Sequence, residues 1–97
     1  MTQQPLFQLG NCYMTPGINT LVAQQALSID HYLYRHQHGD WGDITKEDGA
    51  ENETSLLQGY RILSAYNLEG HTGSNTIKIW IITEADRSTT TVLLPNE

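Results

Sequence analysis

Ile77-Lys78-Ile79-Trp80-Ile81-Ile82-Thr83-Glu84-Ala85-Asp86-Arg87-Ser88-Thr89-Thr90-Thr91-Val92-Leu93-Leu94-Pro95 is the run that decides the fold. Two apolar stretches flank one polar turn, Thr83 to Thr91. Ile77, Ile79 and Ile81 alternate with Lys78, Trp80 and Ile82, and a period of two is the spacing of a strand. Both sets are largely apolar, so a strand over Thr76–Thr83 is expected to be central and covered on much of both faces. Thr89–Leu94 reads as a second strand, ended by Pro95. Upstream, Tyr60-Arg61-Ile62-Leu63-Ser64-Ala65-Tyr66 is another, followed by a long glycine-containing loop from Asn67 to Asn75. These three strands read as an antiparallel meander.

Towards the N-terminus the period lengthens. Thr15-Pro16-Gly17 is a helix start, because threonine can cap and proline at the first helical position loses no needed N–H. Ile18, Leu21, Val22 and Gln25 follow at helical spacing. A second helix starts at Ser28, puts Ile29, Leu33 and His36 on one face with Tyr32 beside them, and stops at His38-Gly39. Thr45-Lys46-Glu47-Asp48 has the pattern of a capping box and opens a third helix that reaches Gln58-Gly59. Gly49 inside it costs about 1 kcal/mol of helix propensity. Leu6–Met14 is a candidate edge strand. The expected architecture is α+β: two or three N-terminal helices packed on a three- to four-stranded antiparallel sheet, in a single domain over residues 1–97.

A net charge of −6 argues against non-specific binding to DNA or RNA, where Lys and Arg must neutralise phosphates. It favours a basic partner, or solubility alone. Cys12 is the single cysteine, so no disulfide can form within the chain and no cysteine metal site exists; a small buried hydrophobe is expected there. No apolar run approaches the roughly 20 residues of a membrane span. Met1-Thr2-Gln3-Gln4-Pro5 has neither the basic start nor the apolar core of a signal peptide, so a cytoplasmic location is expected. No cofactor or metal is expected: His36 and His38 would diverge by about 200° on a helix.

Three polar groups are candidates for function. Asp40, Asp43, Glu47, Asp48, Glu51 and Glu53 form an acidic run, opposed within it only by Lys46. It is either a face for a basic protein surface or a solvated helix face. Trp41, in a turn among these acids, is either a core anchor or an exposed hot spot, and a core anchor is expected. Arg61, Thr83, Glu84, Asp86, Arg87 and Thr89–Thr91 form a second set. There Arg87 can hold a phosphate or carboxylate, or else Asp86 and Arg87 bridge while Glu84 pairs with Arg61. His36 is a candidate buried or general-base histidine, or a helix-end histidine favoured by the dipole.

Taken together, Thr15-Pro16-Gly17, Arg35-His36-x-x-Gly39-Asp40-Trp41-Gly42-Asp43, Glu47-Asp48 with Asn52, Gly59-x-Arg61-Ile62-Leu63-Ser64-Ala65-Tyr66, and Ile79-Trp80-Ile81-Ile82-Thr83-Glu84-Ala85-Asp86-Arg87-Ser88 with Thr90-Thr91-Val92-Leu93-Leu94-Pro95 resemble a family of short proteins of bacterial plasmids, phages and integrated elements. These are often labelled plasmid-related proteins or, misleadingly, type I restriction subunits. The resemblance covers about Thr15 to Pro95, and Gly-Asp-Trp-Gly and Thr-Glu-Ala-Asp-Arg-Ser are its most specific motifs. The chain departs from it in the long loop and at Gly49. The resemblance implies a mobile-element setting and brings no catalytic residues with it. The leading expectation is therefore an acidic accessory protein that binds a protein partner, with antagonism of a host defence or nucleic-acid-handling system as one concrete form. Asp40, Trp41, Asp43, Glu47, Asp48, Glu51, Glu84 and Asp86 would make the contact. The alternative rests on a fold-level likeness to small metal-independent ribonucleases of the barnase and colicin type. His36 would be the base and Arg61, Thr83 and Arg87 the groups around a scissile phosphate. A homodimer through an edge strand or exposed tyrosines is a third possibility.

Overall fold

A computed structural model describes residues 4–24, 28–68 and 77–97. Gln25, Thr76 and residues 69–75 of the expected loop lie outside the described residues. In chain order the elements are β1 (Asn11–Met14), α1 (Pro16–Ala23), α2 (Ile29–Gln37), α3 (Lys46–Gln58), β2 (Ile62–Asn67), β3 (Lys78–Thr83) and β4 (Thr89–Leu93). The fold is α+β, and none of its described helices is long and apolar enough to cross a membrane.

Helix punctuation follows the sequence with two substitutions of role. Thr45 Oγ1 accepts the Asp48 N–H at 3.0 Å, and Gly59 ends α3 in the left-handed conformation at φ 78°. Thr15, however, does not cap α1: its hydroxyl donates to the Glu97 carboxylate, which also accepts the Gly17 N–H at 3.1 Å. A carboxylate from the far end of the chain thus sits on the positive end of α1. Ser28 precedes α2 without a side-chain cap.

Gly49 is not needed for space. A Cβ there would meet Ile44 Cδ1 and Trp41 Cδ1 at 3.9 Å, ordinary van der Waals distance. Gly49→Ala should therefore raise stability by about 0.5–1 kcal/mol through helix propensity. A urea midpoint equal to or below that of the parent protein would contradict this.

Strand order is β1-β4-β3-β2. The meander β2-β3-β4 is antiparallel, as expected. β1 runs parallel to β4, pairing Asn11 with Thr89 through Met14 with Val92, so the sheet is mixed rather than antiparallel and a strand precedes the helices. No hairpin ties β1 to its neighbour; three helices and two strands intervene, so no tight turn dictates its direction. β1 stands at the sheet margin with all four side chains exposed. Cys12 is among them, and the expectation of a buried cysteine is corrected.

One sheet face carries Ile62, Ser64 and Tyr66 of β2, Ile79, Ile81 and Thr83 of β3, and Thr90 and Val92 of β4, all buried. Ile18 of α1 and Tyr32 of α2 join Tyr66, Ile79, Ile81 and Val92 there in the main apolar cluster. Phe7, Trp41 and Ile62, with Leu9, Ile44 and Leu56, make a second cluster. Trp41, 8% exposed, is thus a core anchor.

β3 is central, as expected, and the apolar side chains of its second face are partly covered. Pairing aligns Tyr13, Thr91, Ile82 and Leu63 in one row across four strands, and Leu93, Trp80 and Ala65 in the next. Leu63, Trp80, Ile82 and Leu93 are half-buried and belong to neither cluster, while Tyr13 is exposed. Among the described residues, these apolar side chains join neither buried cluster and keep part of their surface accessible.

The two sheet edges are unlike. On β2, Asn52 of α3 exchanges two hydrogen bonds with the Leu63 backbone, at 2.7 and 3.1 Å. Ala65 donates to the Trp41 carbonyl at 3.1 Å and accepts from the Asp43 N–H at 2.6 Å. That edge is sealed. Among the described residues, nothing pairs with the outer edge of β1.

Candidate functional site

His36 lies in the last turn of α2 and is fully buried over the sheet. Ser64 Oγ sits 2.6 Å from Nδ1 and Thr83 Oγ1 2.9 Å from Nε2. Thr83 Oγ1 lies 2.7 Å from Thr90 Oγ1, and Thr90 donates to the Leu9 carbonyl at 2.7 Å. That carbonyl can only accept, so it fixes the direction of the links from Thr90 to His36 Nε2, and burial, which keeps the ring neutral, leaves Nδ1 to accept from Ser64. Thr90 gives its proton to Leu9, Thr83 to Thr90, His36 Nε2–H to Thr83, and Ser64 to His36 Nδ1. His36 is a neutral imidazole with every polar atom spoken for. Burial, and secondarily the Arg87 charge, push its pKa from 6.5 down to about 3. Of the readings offered for His36, the structure has the buried one, with a neutral ring. A general base must reach the proton it removes, and this ring touches only the interior.

Arg87 occupies the β3–β4 turn with φ 60°, the one positive-φ position among the described non-glycine residues. Its guanidinium donates to the carbonyls of Tyr60 (2.6 Å), Glu84 (3.1 Å), Ala85 (3.2 Å) and, through Nη2, Ser55 (3.0 Å). It thus ties the turn to the C-terminal end of α3, which has no basic residue of its own in its last turn. Phe7 touches both candidate catalytic groups: its ring meets His36 edge-on at 5.1 Å and lies 5.6 Å from the Arg87 guanidinium carbon. Arg61 points elsewhere and pairs with Glu84 at 3.0 and 3.1 Å. Thr83 belongs to the buried chain. The structure gives His36, Thr83 and Arg87 internal partners and leaves Arg61 at the surface.

Several of the candidate binding acids are also engaged. Asp40 pairs with Arg35 at 2.7 Å, a hydrogen bond that holds its carboxyl below the usual range, and it accepts the Gly42 N–H. Asp43 accepts from Asn67. Asp86 bonds the backbone and hydroxyl of Ser88, which hold its carboxyl down; it does not bridge to Arg87. Glu53 accepts the Trp41 indole N–H at 3.0 Å. Among the described residues, Glu47, Asp48 and Glu51 keep side chains without a hydrogen bond or ion pair.

Both specific motifs thus have structural work. Gly39-Asp40-Trp41-Gly42 closes the second cluster and seals β2, while Thr83 to Ser88 builds the turn and seats Arg87. Sequence reading missed Ser64 as a partner of His36 and Thr90 as the next link beyond Thr83. Their signal was polarity at inward positions of otherwise apolar strands. It also missed a cavity of about 500 Å³ beside α3, lined by Ala50, Glu51, Thr54, Ser55, Tyr60 and Arg61. Exposed Leu57 (84%) and Tyr60 (57%) near the end of α3 were the available hint.

Comparison with protein-family models, with curated proteins and with solved structures finds no match to this chain.

Proposed function

We propose that this chain is a small acidic accessory protein of a mobile genetic element that acts by binding a protein partner. The target would be a host nucleic-acid-handling or defence protein whose action it antagonises. The observation that carries the reading is the second sheet face, apolar and only partly covered by the described residues. A solvated face of an antiparallel sheet ordinarily alternates to polar residues. This one presents Leu63, Trp80, Ile82 and Leu93 on adjoining strands, with Tyr13 at the margin. A contiguous apolar surface centred on tryptophan has the composition of an interface core. The charge of −6 and the unpaired Glu47, Asp48 and Glu51 add an electrostatic bias towards a basic partner. The motif resemblance supports the mobile-element setting. In this reading the binding centre moves from the acidic run to Trp80, and the acids serve encounter.

A photo-crosslinking residue at position 82 should give one dominant adduct of defined mass in bacteria that make the protein. Trp80→Glu should abolish that adduct while circular dichroism stays unchanged. An adduct yield indifferent to Trp80→Glu would remove the sheet face from the interface. Reversing Glu47, Asp48 and Glu51 to lysine should slow association with the captured partner by about tenfold at low salt.

A further inference from the structure

We propose that the cavity beside α3 receives one arginine side chain of the protein partner. The inference deepens the partner-binding reading and rests on it. Ser55 is 6% exposed and its hydroxyl makes no hydrogen bond. Among the described residues no fully buried side-chain oxygen or nitrogen lacks a partner. The hydroxyl must therefore open towards the space that Ser55 lines, and it is a polar group waiting in a recess.

Charge selects the sign of the occupant. The Arg61 guanidinium in the lining is offset by Glu84 at 3.0 Å. Glu51 has no such partner, and the donors of Arg87, which sits on the Ser55 and Tyr60 carbonyls, are taken up by four carbonyls, so Glu51 is the free charged side chain of the lining. The recess runs along the middle turns of α3, from Ala50 to Ser55. An anion finds one paired arginine there; a cation finds a free carboxylate and two hydroxyls, from Thr54 and Ser55.

Shape selects the kind of cation. The Tyr60 ring, 57% exposed, and Ala50 offer an apolar wall for an aliphatic stem. A planar guanidinium can lie against the ring and still donate to several acceptors at once, whereas an ammonium is a point charge. The volume of about 500 Å³ leaves room for backbone beside the side chain, so the arginine enters as part of a peptide segment.

The full ¹⁵N-labelled protein should be titrated with acetyl-Gly-Arg-Gly-amide and with its lysine counterpart. Saturable amide shifts centred on residues 50–55 and 60–61 are expected with the arginine peptide, and binding about fivefold weaker with lysine. Glu51→Gln and Ser55→Ala should each weaken arginine binding, by about three- to tenfold. Ala50→Trp, at an exposed position, should abolish it while the spectrum stays dispersed. The proposal is overturned by absence of saturable shifts, by equal affinity for the two peptides, or by shifts that survive Ala50→Trp. None of those results touches the sheet-face reading, which is decided separately by the position 82 adduct.

Discussion

Lowering the pH from 7.5 to 5 is expected to remove about 2 kcal/mol of folding stability through His36 alone. The unfolded ring titrates at 6.5 and the folded ring at about 3. Between those values the unfolded chain binds a proton that the native fold refuses, so stability falls as pH drops below 6.5 and levels off only below about 3. The cause is burial first, which takes the charged ring out of water, and then the Arg87 charge nearby. Urea midpoints at a series of pH values should show this slope, and His36→Gln should flatten it between pH 7.5 and 5. Equal slopes for the two proteins would assign the acid sensitivity elsewhere. His36→Leu should cost more at every pH, about 3 kcal/mol, because it strands the Ser64 and Thr83 hydroxyls in the interior.

Gly42→Ala is expected to be as damaging, at about 3 kcal/mol or more. Gly42 sits at φ 77°, where a side chain is strained whatever the space. Here there is also no space: an added Cβ would overlap the Ala65 carbonyl and come within 2.8 Å of Tyr66 Cε1. Tyr66 cannot yield easily, since its hydroxyl is bound to the Asp40 carbonyl at 2.6 Å and the Arg35 guanidinium covers its ring at 4.6 Å. The backbone of the 40–44 turn must therefore retreat from β2 and give up its bonds to Ala65. A midpoint within 1 M urea of the parent, for a protein of this size, would mean that the turn shifts at small cost.

What the sequence disclosed was local. Proline after Thr15, the Thr45 box and the glycines after α2 and α3 mark helix ends because each acts on its own few bonds. Strand periodicity gave β2, β3 and β4, and His36 on the apolar face of α2 signalled burial. Its partners were hidden, because Ser64, Thr83 and Thr90 converge only once two cross-strand registers are set. The parallel pairing of β1 rests on no adjacent turn and left no mark. Arg87 carried no sign either: its left-handed backbone is usual for glycine or asparagine, and four carbonyls from three segments hold it there. The alternation of β3 marked a central strand with apolar side chains on both faces, but it did not show which face the buried clusters occupy.

The inequality of the two sheet edges limits how this molecule can assemble. A strand can be extended only where N–H and C=O groups are unspent, and Asn52 with the 40–44 turn has spent those of Leu63 and Ala65 along most of β2. Edge-to-edge growth from β1 would therefore terminate after one addition: two copies would consume both open edges and leave none for a third. The geometry permits a closed pair and gives no template for a fibre.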